Sequence, residues 1–349
     1  MTQIAPDNRI NRETQPNQTD QTSAAQTGNP LMMVDDLQKY FPTKIGSGFW
    51  KTTGWIRAVD GVSFSIHTGE TFGLVGESGC GKSTIGKVIL RVLEPSQGRV
   101  LFNNGDVSHL KGKELLNFRS KVQAVYQDPY SSLNPRMRID RSIGEPLVTH
   151  QLLDKKARRE RVMGLMKTVG LLPEHAQRYP HEFSGGQRQR IGIARALAIN
   201  PKFLVLDEPV SALDVSIQAQ ILNLLSDLQK DLQLTYLFIS HDLSVVEHIC
   251  DRVAVMYLGK IVEQATSGLL FANPMHPYTQ ALLSAVPVAD PDHLAPAISL
   301  TGEIPSPLNP PSGCRFHPRC PKCMDICREH DPKQLKKEPG HLVYCHLYD

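Results

Sequence analysis

GESGCGKS, residues 76–83, is the stretch on which the fold turns. It fits G-x-x-x-x-G-K-[ST], and it stands where that pattern has a mechanism. TFGLVG (71–76) before it is a short apolar run that predicts a buried parallel strand, and helical patterning follows from Lys82 to about Val92. Glycines let such a loop curl until several N–H groups aim at one phosphate, and the helix behind it adds the positive end of its dipole. Gly76, Glu77, Ser78, Gly79, Cys80, Gly81, Lys82, Ser83 and Thr84 are therefore the candidate cradle. Within it Lys82 can reach the β- and γ-phosphates, and Ser83 can ligate Mg²⁺. Cys80 reads as a small buried filler rather than a reactive thiol.

FLVLDEP (203–209) supplies acids that match such a loop. Its apolar run predicts a second buried strand, ending in Asp207, which can hold Mg²⁺ through water, and Glu208, which can orient or deprotonate the attacking water. Without the phosphate loop the two acids would mark only the start of a surface turn. FSGGQRQR (183–190) places Ser184, Gly185, Gly186 and Gln187 just before the helical segment IGIARALAI, which makes a second anion site at a helix N-terminus. One nucleotide and two phosphate-binding devices in a chain imply that the second device serves the nucleotide of another chain.

The surroundings agree with a large α/β domain. The 349 residues are 40% hydrophobic and 21% charged, ordinary values for a globular protein, and the net charge of +3 is weak support for nucleic acid. No apolar run approaches the ~20 residues of a membrane-spanning helix. Residues 1–30 hold 14 Asn, Gln or Thr, no apolar segment and no signal-peptide pattern, so a disordered leader and a cytosolic chain are expected. Order is expected from LMMVDDLQKYF (31–41), with a loop at 42–57 and a strand at AVDGVSFSI (58–66). Residues 138–183 read as helical, with Val162, Leu165, Met166 and Val169 on one apolar face. A further helical stripe carries Ile217, Ile221, Leu224, Leu225, Leu228 and Leu232, and YLFISHD (236–242) and RVAVMYLGK (252–260) read as strands. Alternating strands and helices predict a parallel sheet covered by helices. After about residue 265 the composition turns proline-rich, which suggests an extension outside that fold. DKKARRERV (154–162) is basic, but Asp154 and Glu160 interleave, so a solvated helix face is favoured over nucleic-acid binding.

The phosphate loop, Gln127 in VYQDP, FSGGQ, LVLDEP, SALD (211–214) and His241 in ISHD stand in the order and spacing of ABC transporter ATP-binding subunits, which residues 31–349 clearly resemble. The resemblance implies ATP and Mg²⁺ as ligands and a P-loop NTPase fold of ABC type, with an ATPase domain over 31–265, a helical subdomain at about 128–184 and an extension over 266–349. It implies that Gln127 senses the γ-phosphate and Mg²⁺, that Ser184 and Gly186 grip ATP in trans, that Asp214 lies across a dimer interface and that His241 contacts the γ-phosphate. Either Tyr40 or Phe41 would stack on adenine, with Tyr40 preferred. Phe183 stands where the family more often has Leu, a conservative departure. No catalytic position is degenerate.

QDPYSSLNPRM (127–137) and HPYTQALLSAVP (276–287) resemble, more narrowly, the ATPases of bacterial dipeptide, oligopeptide and nickel importers, and GEIPSPLNPPSGC (302–314) resembles the F-type subunit of peptide systems. That implies a peripheral protein on the cytoplasmic face of the cell membrane. Its implied partners are a second, different ATPase subunit, two transmembrane permease subunits and, indirectly, an extracytoplasmic peptide-binding protein. The alternatives are an ATPase for nickel or another small solute, or a non-transport ABC ATPase of DNA repair or translation. A repair ATPase would need a long coiled coil, and residues 85–182 lack sustained heptads. A translation factor would carry two ATP modules, and one motif set is present.

GCRFHPRCPKCMDIC (313–327) holds four of seven cysteines, and Cys345 follows near the C-terminus. Five in 32 residues argue against inert thiols, and a cytosolic site argues against a disulfide. Metal remains, as zinc or an iron–sulfur cluster. The family resemblance favours a [4Fe-4S] site on Cys314, Cys320, Cys327 and Cys345, with Cys323 as an extra and Zn²⁺ as the alternative.

Overall fold

A computed structural model of the chain describes residues 29–45, 52–286, 298 and 300–349; the expected leader lies outside them except for its last two residues. In chain order the strands are β1 (Met32–Ile45), β2 (Thr52–Ile66), β3 (Thr71–Val75), β4 (Gln97–Phe102), β5 (Gly105–Asp106), β6 (Val122–Val125), β7 (Phe203–Asp207), β8 (Thr235–Ser240), β9 (Arg252–Tyr257), β10 (Lys260–Thr266), β11 (Gln334–Glu338) and β12 (His341–Tyr344). The α-helices are α1 (Lys82–Ile89), α2 (Gly112–Lys121), α3 (Pro129–Ser132), α4 (Ile139–Thr149), α5 (Lys155–Thr168), α6 (Gly185–Leu197), α7 (Val215–Leu232), α8 (Leu243–Ile249), α9 (Ser267–Ala272), α10 (Pro277–Ser284) and α11 (Ile326–Glu329).

The expected parallel sheet is the centre of a larger, mixed one. Strands β6-β7-β8-β3-β9 run parallel, and β10, β12 and β11 continue the sheet antiparallel. Every residue of β3 and β8 is buried, as continuous apolar runs covered on both faces require. Helix α1 packs close behind the sheet at Gly86, where a Cβ would lie 3.1 Å from both Ile239 and Val205.

A second sheet, β2-β1-β4-β5, is antiparallel and was not foreseen. It corrects the expected loop at 42–57. Pro42 pairs with Trp55 and Lys44 with Thr53, so both ends of that stretch are strand, and residues 46–51 lie outside the described part. Cross-strand pairing here overrides the Gly- and Lys-rich composition, as strand propensity is set largely by neighbours.

The helical region forms as expected around α4, α5 and α6, with Val162, Leu165, Met166 and Val169 buried. Asp154 caps α5, its Oδ1 accepting the Ala157 N–H at 2.9 Å, which gives the acid inside the basic run a local role. On α7, Ile221, Leu222, Leu225 and Leu228 are buried, but Leu232 is 48% exposed. The stripe therefore stops one turn early, because Leu232 is the helix's last residue.

The C-terminal segment does not stand apart from the main fold. β10 crosses the expected boundary at residue 265 and pairs with β12, while Glu263 on β10 bonds His341 on β12 at 2.7 Å, both fully buried. Among the described residues, no helix is long and apolar enough to cross a membrane.

Candidate active site

The loop between β3 and α1 keeps its shape because two glycines hold conformations that other residues cannot. Gly76 has φ 150°, and a Cβ there would sit 2.1 Å from the Met256 carbonyl oxygen; Gly81 has φ 114°, and its Cβ would sit 2.2 Å from the Ala58 carbonyl oxygen. Gly81 caps α1 without a side chain, so the first N–H groups of the helix stay free to meet an anion. The result is a cleft of about 640 Å³ lined by Gly76, Glu77, Ser78, Gly79, Gly81, Lys82, Ser83, Thr84, Gln127, Glu208 and His241. Ala58, Leu243 and Leu282 complete the lining, three positions the sequence reading missed because apolar residues carry no chemical signal. Cys80 is buried and its thiol is pushed up by that burial, in keeping with a filler.

The polar groups of the cleft are already engaged with one another. Lys82 is buried, and its ammonium donates to the carbonyls of Gly76 at 2.7 Å and Glu77 at 3.1 Å. Ser83 Oγ donates to Asp207 Oδ1 at 2.9 Å. Burial, with the charge of Glu208 beside it, pushes the Asp207 carboxyl up despite that bond. Two adjacent oxygen donors, one a half-shielded carboxylate, suit a hard cation such as Mg²⁺. Glu208 is held from both sides: Gln127 Nε2 donates to its Oε2 at 2.7 Å, and His241 Nδ1 lies 3.2 Å from its Oε1. Its backbone sits in the left-handed region at φ 49°, strain of the kind that concentrates at functional sites.

Other candidate residues stand outside this cleft. Tyr40 hydrogen-bonds Asp60 and Gln38, and Arg57 covers its ring at 6.0 Å. Burial and the bond to Asp60 push its hydroxyl up to about 12. Ser184 caps α6 in a reciprocal pair: the Gln187 N–H donates to Ser184 Oγ at 3.3 Å, and the Ser184 N–H donates to Gln187 Oε1 at 3.1 Å. Gly185 and Gly186 follow, and a Cβ at Gly186 would meet Ile217 Cγ2 at 2.4 Å. Gly186 thus has a packing reason to be glycine, whatever it binds. Asp214 caps α7, accepting the Ile217 N–H at 3.0 Å.

The C-terminal segment reaches this site. Arg319 makes a two-pronged bond to Glu77, at 2.8 and 3.2 Å, and the Glu77 N–H donates to Tyr278 Oη at 2.9 Å. Arg315 bonds Asp60 and the Leu258 carbonyl. The sequence reading quoted the stretches that hold Arg315, Arg319 and Tyr278 but gave those residues no role.

As for the cysteines, no group of three His, Cys, Asp or Glu side chains among the described residues is arranged to hold a single metal ion. Neither the expected [4Fe-4S] site nor the zinc alternative therefore finds a preformed donor set among them. All seven cysteines are free thiols. Even so, each of the five tail thiols is an electrostatic neighbour of at least one other. Burial pushes Cys314 up to about 12, with Cys327, Cys345 and Cys320 adding to it, and Cys345 up to about 11, with Cys320 and Cys327 adding. Cys323 acts on Cys320, and its Sγ lies 3.6 Å from the Met324 carbonyl.

Comparison with known proteins decides the family. A family model described as "ABC transporter" matches residues 59–211, and one described as "Oligopeptide/dipeptide transporter, C-terminal region" matches residues 262–327. Oligopeptide transport ATP-binding protein AppF of Bacillus subtilis (strain 168) is 54% identical over 91% of this chain and 97% of its own length. The chain belongs to the ATP-binding subunits of ABC transporters. Dipeptide transport ATP-binding protein DppF of Escherichia coli (strain K12) is 49% identical over 94% of this chain and 97% of its own. Among solved structures, the ATP-binding cassette MJ0796 in a dimeric post-hydrolysis state bound to ADP and Pi matches with a TM-score of 0.60 at 28% identity, over 68% of this chain and 98% of that one. The chain is thus an ATPase of a peptide-importer family, with permease subunits implied as partners.

Proposed function

We propose that this ATPase drives uptake of di- or oligopeptides from the cytoplasmic face of the bacterial cell membrane, coupled to two permease subunits and paired with a second, different ATPase subunit. The observation that carries the catalytic part is Glu208, gripped by Gln127 on one oxygen and His241 on the other, beside the Ser83–Asp207 pair. In this reading Ser83 and Asp207 would hold Mg²⁺, which would supply positive charge against that developing on the phosphates. Lys82 leaves the loop carbonyls for the β- and γ-phosphates. Glu208 takes a proton from the attacking water, and His241 steadies the γ-phosphate oxygens. In the same reading Ser184 and Gly186, which do not line this cleft, grip a partner's ATP. Tyr40 stacks on adenine.

Docking of the permease belongs beside Gln127. A groove of about 410 Å³ runs between Gln123 and Tyr126, just before it, and Glu145 and Pro146 of α4. Pressure there would reach Glu208 through Gln127. The test is reconstitution with a permease pair and each candidate second ATPase. Peptide uptake only with a different ATPase beside this one is the expected result. Full uptake from this ATPase alone as a homodimer would refute the pairing, and uptake of nickel without peptide would refute the substrate.

For the tail we propose a [4Fe-4S] cluster on Cys314, Cys320, Cys327 and Cys345. What supports it is that Cys314 and Cys345 each have Cys320 and Cys327 among their charged neighbours. Such a group would pin a segment poor in apolar surface to the sheet. Anaerobic preparation is expected to give a brown protein with about four irons per chain. Cys345→Ser should bleach it and Cys323→Ser should not. A colourless preparation with one zinc, or bleaching by Cys323→Ser, would overturn the assignment.

A further inference from the structure

We propose that the C-terminal tail clamps the phosphate loop, with Arg319 a positioning residue for ATP that acts through Glu77. The proposal rests on reading residues 76–84 as the ATP cradle. Glu77 is the second residue of that loop, and every polar part of it is held. Lys82 bonds its carbonyl at 3.1 Å, Tyr278 accepts its N–H at 2.9 Å, and Arg319 forks both carboxylate oxygens. Two of these three partners come from beyond residue 265. Glu77 and Arg319 are 242 residues apart in the chain, and the Arg319 side chain is only 8% exposed. A part-buried, bidentate guanidinium–carboxylate pair fixes direction as well as distance, which a surface ion pair does not.

The two clamp residues are themselves anchored. Glu263, fully buried on β10, accepts the N–H groups of Met275 at 2.7 Å and His276 at 2.9 Å and bonds the His341 ring. His276 Nδ1 then accepts the Tyr278 N–H at 3.1 Å, which aims the Tyr278 hydroxyl at the loop. Tyr257 packs under the Arg319 guanidinium at 5.9 Å, and Arg319 is followed directly by Cys320. A second arm, Arg315, holds Asp60, the same carboxylate that accepts the Tyr40 hydroxyl.

A phosphate loop binds by presenting several N–H groups at once, so the entropy of ordering it counts against affinity. A clamp that holds the loop before ATP arrives removes part of that cost. Linkage makes the effect reciprocal: if the held tail tightens ATP, then ATP tightens the tail by the same factor. The tail's integrity is thereby read at the nucleotide site, and the nucleotide's presence is read at the tail thiols.

The test uses the assembled transporter and ATP itself. Arg319→Gln is expected to raise KM for ATP by about tenfold while kcat falls by less than about threefold, the signature of lost binding rather than lost chemistry. Glu77→Gln probes the same clamp from the loop end and carries the test if the tail variant fails to fold. The double variant is expected to be no worse than either single one, because both remove one interaction. In the unmodified protein, ATP should slow iodoacetamide labelling of Cys323 several-fold, and in Arg319→Gln it should not. An unchanged KM in both single variants, additive losses in the double variant, or equal protection of Cys323 in Arg319→Gln would overturn the clamp. An unmodified chain that fails to bind ATP would instead overturn the reading of the cradle.

Discussion

Glu208→Gln is expected to lower the ATPase rate of the assembled transporter by at least about 100-fold while leaving ATP binding intact, since a positioned general base contributes on that order. The replacement is nearly isosteric. An amide oxygen can still accept from Gln127, which now lies 2.7 Å from Glu208 Oε2, so the connection to the helical region survives. What is lost is the capacity to take a proton. On the proposed pairing, ATP that binds and is not hydrolysed would keep bridging two chains, so the variant should also accumulate as a closed ATPase pair. Turnover, nucleotide binding and cross-linking of the two ATPase subunits would be measured together. Near-normal turnover would remove Glu208 from the role of base and leave His241, 3.2 Å away, as the next candidate.

Lys82→Ala should be more severe, because it acts on both binding and chemistry. Its ammonium now satisfies the carbonyls of Gly76 and Glu77 from a buried position. Removing it leaves those carbonyls without that donor and takes away the cation that would meet the β- and γ-phosphates. KM for ATP should rise more than about tenfold and kcat fall by about 100-fold or more, as losing a preorganised donor to developing charge does elsewhere. Lys82→Arg is not expected to rescue, since a broad planar fork does not fit where a compact point charge sits. Retention of full ATP affinity in Lys82→Ala would refute the proposed movement of Lys82 from the loop to the nucleotide.

Much of this protein was legible in residue order alone, and the reason is locality. The phosphate loop lies within residues 76–84, its acids are the last residue of one strand and the next, and the capping pair Ser184–Gln187 is three residues apart. Chemistry packed into so short a span is visible as a motif, and the apolar runs that became β3, β7 and β8 announced buried parallel strands for the same reason. The outer parts were decided in three dimensions. The stretch at 42–57 became strand at both ends only because β1 and β2 pair. The tail joined the main sheet only because β12 found the free edge of β10. Glu77 met Arg319 and Asp60 met Arg315 across more than 240 residues. Neither partner's neighbours encode such a choice: an arginine among prolines and cysteines looks like any surface cation until folding buries it beside one carboxylate, and burial is what turns an ordinary ion pair into a specific one.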